Sequence, residues 1–261
     1  MSNYFNVTFI GSGNVAWHLA QALEDAGHSV IEVYSRTMKN AKTLCDRLYD
    51  STPTTSLDFS ESKASIFIIA VPDRSISSII DKLVTPPDTI IVHTSGTQPL
   101  TLLHADQGAV GVFYPVQTFS KKKKVINFSD TPFCIESNEK WVEEKLILLA
   151  KSLTRTVYLL DSEQRKTLHI SCVFANNFIN HLLTIAKELL ESRNLDFELI
   201  KPLIIETVQK ALEMGPENVQ TGPAARKDLD VVQSHLNFLE QEPLVQEIYK
   251  AISSDILKSY H

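Results

Sequence analysis

From residue 5 to about residue 159, short and almost wholly apolar runs alternate with segments of helical period. The runs are FNVTFI (5–10), SVIEVY (29–34), SIFIIAV (65–71), TIIVHT (89–94) and AVGVFY (109–114). Two more, PFCIE and TRTVYLL, flank the helical stretch EKWVEEKLILLAKSL. NVAWHLAQALEDA follows the first run as a helix, and a polar helix ending near residue 48 follows the second. Strands apolar along their whole length and separated by helices predict a mainly parallel sheet covered on both faces, the doubly wound α/β pattern. After Asp161 the strand-like runs stop. Helical periodicity covers roughly 161–192, 196–214, 226–240 and 243–259, with GPEN, TGP and EP as breakers. The chain therefore predicts an α/β domain over 1–160 and an all-α domain over 161–261. The second would serve substrate binding and dimerisation, because long helices with apolar stripes and short connections often pair.

The first strand runs straight into GSGNVA. Gly11, Gly13 and Ala16 have the G-x-G-x-x-G/A spacing of a dinucleotide-binding loop, and here it closes a strand and opens a helix. Gly11 would make the tight turn, and Gly13 would let the backbone near a pyrophosphate. Ser12, Asn14 and Val15 complete the loop at the helix N-terminus, where phosphates bind. The tip of the second strand reads VYSRT, with no acid to bind ribose hydroxyls. Arg36 can instead pair with a 2′-phosphate, and Ser35 and Thr37 can donate hydrogen bonds to it, which points to NADP. Glu32 lies within the strand, too early to reach the ribose.

FIGSGNVAWHLAQAL, VYSRT and IIAVPD resemble the N-terminal domain shared by pyrroline-5-carboxylate reductases, β-hydroxyacid dehydrogenases and deazaflavin-dependent NADP oxidoreductases. More narrowly, VHTSGT, GVFYPVQTF, KTLHISCVFANNF and TGPAARKDLDVVQSHL resemble a branch labelled NADP oxidoreductases. That branch joins a Rossmann-like domain to a helical C-terminal domain of unknown function. The resemblance spans nearly the whole chain and implies a Rossmann-type fold and NADP as cofactor. One departure is Tyr114, where relatives often carry His before the proline, so no imidazole role carries over to that position.

In open α/β sheets ligands bind outside the carboxyl ends of the strands. Three such ends carry chemistry: Val71, Pro72 and Asp73; Thr94, Ser95 and Gly96; and Gln117 and Thr118 after Pro115. Val71, Pro72 and Thr94 are expected beside the cofactor, and Ser95 among the catalytic groups. Hydride transfer to a carbonyl or imine also needs a proton donor, for which Lys or His is suited. Lys166, His169, Asn176, Asn177 and Asn180 fall within roughly a third of the circumference of an uninterrupted helix. By resemblance to dehydrogenases that use Lys and Asn from the equivalent helix, Lys166 is the first candidate acid and His169 the second. The asparagines could equally form a hydrogen-bonded seam against another helix or subunit. Arg226 and Lys227 in TGPAARKD are candidates for holding an anionic substrate group in the cleft between the domains.

The bulk numbers narrow the field. A chain of 261 residues with 43% hydrophobic and 21% charged residues is a soluble, globular composition. A net charge of −6 argues against nucleic acid as a bulk partner. No metal-ligand spacing occurs, and three cysteines fit a reducing compartment. With no leader-like start and no apolar run near the ~20 residues of a membrane span, a cytoplasmic location without membrane contact is expected. KKKK at 121–124 is a solvated loop or, as a minor reading, an anion-attracting one. The leading expectation is an NADP-dependent oxidoreductase acting on a small, anionic carbonyl or imine, as a homodimer. The competing one is an NADP-binding sensor without turnover, favoured by the lack of an unmistakable acid–base constellation.

Overall fold

The computed structural model describes residues 4–103, 108–122 and 124–260. The chain divides into two compact units, Met1–Asn176 and Asn177–His261.

The first unit is an eight-stranded sheet ordered β3-β2-β1-β4-β5-β6-β7-β8. Its strands are β1 (Asn6–Ile10), β2 (Ser29–Tyr34), β3 (Thr52–Thr54), β4 (Ile66–Ile69), β5 (Ile90–His93), β6 (Ala109–Pro115), β7 (Phe133–Ser137) and β8 (Val157–Leu159). All neighbours are parallel except β6 and β7, so the last two strands run against the rest. The doubly wound α/β class expected from the hydrophobic pattern is the class observed. β3, with sequence TPT, carries no apolar signal, and its Pro53 sits where proline is tolerated, on an edge strand.

Side chains alternate along each strand and feed two cores. Val7, Phe9, Ile66, Ile68, Ile90 and Val92 face one core, which also takes Leu19 and Leu23 of α1 (Asn14–Asp25) and Leu146 and Leu149 of α4 (Lys140–Lys151). Ile10, Phe67, Ile69 and Ile91 face the other, with Ile76, Ile79 and Ile80 of α3 (Ile76–Ile80). α2 (Met38–Cys45) adds Leu44 and Cys45 to the first core. Each fully buried large aliphatic contributes about 1.5–3 kcal/mol, so a sheet sandwiched this way holds its strand ends rigidly.

Those strand ends are where the order matters. The chain leaves β1 for β2 and β3 on one side, then crosses back to β4 on the other. A crevice forms at such a reversal, bounded by the turns after β1 and β4.

α5 (Ser162–Cys172) starts on a capping box: Asp161 accepts from the Gln164 amide while the Gln164 side chain accepts from the Asp161 amide. The sequence places the domain boundary near Leu160, whereas the compact unit extends through α5, and the reason is Arg165. That side chain is fully buried, pairs with Glu136 on β7 and donates to the Gln98 carbonyl. Helical periodicity alone does not reveal that a helix is bolted to the sheet before it.

The second unit is helical: α6 (Ile179–Glu191), α7 (Lys201–Met214), α8 (Leu229–Phe238) and α9 (Pro243–Ser259). A π-helical segment, Val173–Phe178, separates α5 from α6. Among the described residues, no helix is long and apolar enough to cross a membrane.

Candidate active site

The turn after β1 is built as its spacing predicts. Gly11 has φ +121°, and a Cβ there would lie 2.4 Å from the Ala70 carbonyl oxygen at the end of β4. Only glycine satisfies both the backbone conformation and the approach. Gly13 is free of such crowding, with a notional Cβ 3.8 Å from the same oxygen, so its face stays open for a ligand. The Ser12 hydroxyl donates to Ser35 Oγ at 3.0 Å, tying the loop to the tip of β2. Arg36 is exposed, and Thr37 caps α2 by accepting from the Asn40 amide. Glu32 is committed elsewhere, accepting from the Thr8 and Ser62 hydroxyls at 2.6 Å each. The cradle so formed has a volume of about 550 Å³, with Ser12, Gly13, Ser35, Arg36, Thr37 and Lys121 in its wall. An open backbone, the hydroxyls of Ser12, Ser35 and Thr37, and a guanidinium without an ion pair among the described residues suit a dinucleotide carrying an extra phosphate.

A second cavity of about 360 Å³ adjoins the first, and Gly13, Ala70, Val71 and Pro72 line both. Its wall also holds Asn14, Val15, Asp73, Thr94, Ser95, Tyr114, Gln117 and His169. Tyr114 Oη and His169 Nδ1 are 3.0 Å apart, with their rings edge to face. Gly96 makes this pairing possible, because a Cβ there would lie 2.5 Å from His169 Nδ1 and 2.9 Å from Tyr114 Cζ. Burial pushes the Tyr114 phenol up, above the usual tyrosine range. It therefore stays protonated, a neutral hydroxyl that can serve either tautomer of the imidazole.

The candidates named from sequence fare differently. All of the cofactor residues (Gly11, Ser12, Gly13, Asn14, Val15, Ser35, Arg36, Thr37, Val71, Pro72 and Thr94) lie in the walls of one cavity or both. His169 reaches the second cavity. Lys166 is exposed and lines neither. Buried Arg165 and His169 stand one turn apart on the inner face of α5, and that turns Lys166, about 100° from Arg165, outward. Ser95 is present but occupied: its hydroxyl donates to Asp73 at 2.9 Å and accepts from the amides of Thr97 and Gln98. Ser95 lies in the wall of the second cavity. The asparagine stripe presumed one unbroken α-helix. A π-helical segment, with a different number of residues per turn, spans Asn176 and Asn177 instead. Arg226, in the second unit, is hydrogen-bonded to Asp228 at 3.0 Å. Among the described residues, no lysine or arginine lines the second cavity. In the lysine run, Lys121 reaches the phosphate loop and Lys123 lies outside the described residues. Among the described residues no cluster of His, Cys, Asp or Glu is suited to a metal.

Tyr114 and Arg165 were missed. A tyrosine ending an apolar strand looks like core, and an arginine on a helix looks like surface. The one available signal was the YP pair at a strand's carboxyl end beside the HTSGT turn.

His93 lies beneath this turn, fully buried, and its Nδ1 accepts from the Ser95 amide at 3.2 Å. Burial, reinforced by the nearby Arg165 charge, pushes its pKa down to about 4. The imidazole is then neutral in the fold, whereas the unfolded chain takes up a proton near pH 6.5. Stability present above about pH 6.5 is lost as the pH falls toward 4, on the order of 3 kcal/mol when complete. Urea midpoints between pH 7 and 4 should fall more steeply for the wild type than for His93→Asn, and equal slopes would exclude this role.

The matches to known proteins agree with this geometry. A model of the Rossmann-like domain matches residues 2–114, and one of the domain of unknown function DUF2520 matches residues 131–256. The structure of a putative NADP oxidoreductase from Bacteroides fragilis is 36% identical, with 98% of this chain and 99% of that one covered at a TM-score of 0.88. The chain belongs to this Rossmann-like/DUF2520 family. More distant members of the same fold include a reductive aminase from Aspergillus terreus, solved with NADPH and ethyl-5-oxohexanoate. It is 13% identical over 98% of this chain and 93% of that one, with a TM-score of 0.71. An imine reductase from Myxococcus stipitatus, in complex with NADP+, is 15% identical over 97% and 93%, with a TM-score of 0.65. No curated protein matches the chain.

Proposed function

We propose that this protein is an NADP-dependent oxidoreductase that transfers a hydride between NADP(H) and a small carbonyl or imine compound. The observation that carries the proposal is the shared wall of the two cavities. The glycine-loop cradle with Arg36 opens through Gly13, Ala70, Val71 and Pro72 onto the chamber that holds Tyr114 and His169. The Bacteroides relative's description, and the NADP+ and NADPH in the two more distant structures, support the same cofactor.

Gly11, Ser12 and Gly13 would hold the pyrophosphate, and Ser35, Arg36 and Thr37 the 2′-phosphate. Val71, Pro72, Asn14 and Thr94 would stand beside the nicotinamide. The bound cofactor supplies the hydride. The protein's task is to orient the substrate and to give a proton to the oxygen or nitrogen that gains negative charge. As the imidazolium, His169 directs its Nδ1–H to the Tyr114 oxygen and gives its Nε2 proton in the reducing direction; the neutral ring left behind keeps Nδ1–H on Tyr114 and takes a proton back at Nε2 in the other. Tyr114 is a positioning residue.

We further place a homodimer contact on the second unit, supported by its exposed Leu199, Leu203, Leu212, Phe238 and Leu244.

NADPH and NADH, which differ only by the 2′-phosphate, test the cofactor assignment. One charge-assisted contact of about 1.5–3 kcal/mol predicts a preference for NADPH of roughly tenfold or more. Arg36→Ala should erase most of it, as followed by nucleotide fluorescence. Equal affinity of the wild type for the two would rule out the NADP assignment. Turnover with small keto compounds and cyclic imines then separates an enzyme from a nucleotide-binding sensor.

A further inference from the structure

Between β6 and β7 the chain passes over the phosphate loop, and one buried histidine holds it there. His18, on α1 and fully buried, meets the Ser120 carbonyl through Nε2 at 3.0 Å and accepts from the Ile126 amide through Nδ1 at 3.2 Å. Because Nδ1 accepts, Nε2 carries the proton and donates. The ring also contacts Phe119, with centroids 5.7 Å apart. One side chain on the helix that opens at the cofactor loop therefore positions the backbone on both sides of Lys121.

Lys121 makes use of that placement. Its ammonium donates to the Ser12 carbonyl at 2.6 Å and stands 5.2 Å from the centre of the Trp17 ring. It lines the cradle that contains Ser35, Arg36 and Thr37, and it is absent from the walls of the chamber with Tyr114 and His169. Ser12, on whose carbonyl it rests, is the residue whose hydroxyl bonds to Ser35. These contacts put the ammonium on the Ser35–Arg36 side of the loop. Beyond Ser12 the ammonium makes no other hydrogen bond among the described residues.

We propose that Lys121 is a second cation of the 2′-phosphate site, facing Arg36 across the Ser12–Ser35 hydroxyl pair, and that His18 positions it. The inference rests on the NADP assignment above. Partial burial lowers the ammonium's pKa, a cost that an incoming phosphate dianion would reverse. A guanidinium and an ammonium from opposite sides can hold the phosphate in place, where Arg36 alone, on an exposed turn, would leave it open to water.

The test is titration of the full chain with NADPH and NADH, and competition by 2′,5′-ADP and 5′-AMP, for the wild type, Lys121→Met, Lys121→Arg and His18→Gln. Lys121→Met should weaken NADPH and 2′,5′-ADP about tenfold or more while NADH and 5′-AMP change less than about twofold. Lys121→Arg should keep most of the preference. His18→Gln should lower the NADPH-to-NADH ratio although Lys121 is intact, a readout that general loosening would not move. Equal weakening of NADPH and NADH in Lys121→Met would assign the ammonium to the shared pyrophosphate and overturn the proposal, as would no weakening at all. A wild type that binds neither nucleotide would overturn the cofactor assignment itself. A wild type that prefers NADPH, with Lys121→Met unchanged, would remove Lys121 alone.

Discussion

His169→Ala is expected to lose roughly a hundred- to ten-thousand-fold in kcat, the usual contribution of a positioned acid–base group, while NADPH affinity stays close to that of the wild type. The two effects separate because His169 lines the second cavity and is absent from the wall of the glycine-loop cradle. Tyr114→Phe should cost less, about tenfold, because it removes the hydrogen-bond partner of Nδ1 and leaves the imidazole in place. Lys166→Ala should be near neutral, since that side chain is exposed and outside both cavities. The measurement is NADPH oxidation with any small carbonyl or imine that the wild type turns over. The reverse result, activity kept in His169→Ala and lost in Lys166→Ala, would return the proton to Lys166 and refute the pair.

The difference between Lys166 and His169 marks where sequence stops being informative. The strands were legible because both faces of β1, β4 and β5 are buried, so each run is apolar throughout. The phosphate loop was legible because a strand–turn–helix leaves little choice of residue where φ is +121° and a carbonyl stands 2.4 Å from a notional Cβ. The cofactor preference followed from what is missing at the tip of β2, and Glu32's two hydroxyl partners show why a nearby acid does not count. The chamber was harder to see. Its partners come from β6, the turn after β5 and α5, far apart in sequence, and their meeting depends on the rotation of one helix. A helical wheel gives relative angles only. The absolute rotation is set by Arg165, and its carboxylate partner on β7 is not adjacent in any sequence pattern. Beyond Cys172 the wheel itself fails, because the π-helical segment alters the angle per residue.

Arg165 therefore carries the largest stability prediction. Its guanidinium side chain is 1% exposed and its partner Glu136 17%. Ser162 is drawn into the same network, donating to Glu136 at 2.9 Å and accepting from the Leu100 amide at 3.0 Å. Removing one member of a buried pair costs about 3–5 kcal/mol, because the remaining charge stays desolvated and unpaired. Glu136 retains some contact with water, so Arg165→Met should fall near the lower end, about 3 kcal/mol. For a chain of this size that corresponds to a drop of roughly 6–12 °C in thermal midpoint. Adding Glu136→Gln should recover part of the loss by removing the stranded charge. Activity should not return with it: α5 would still lack the bond to the Gln98 carbonyl that helps set its rotation, and His169 would be free to drift from Tyr114 and Gly96. Stability and kcat measured together on the single and double variants separate the two roles of the arginine. A midpoint within about 2 °C of the wild type for Arg165→Met would mean, on the same scale, a contribution below about 1 kcal/mol. The rotation of α5 would then have to come from the packing of Leu168 against the cluster of Val112, Tyr114 and Cys134 instead.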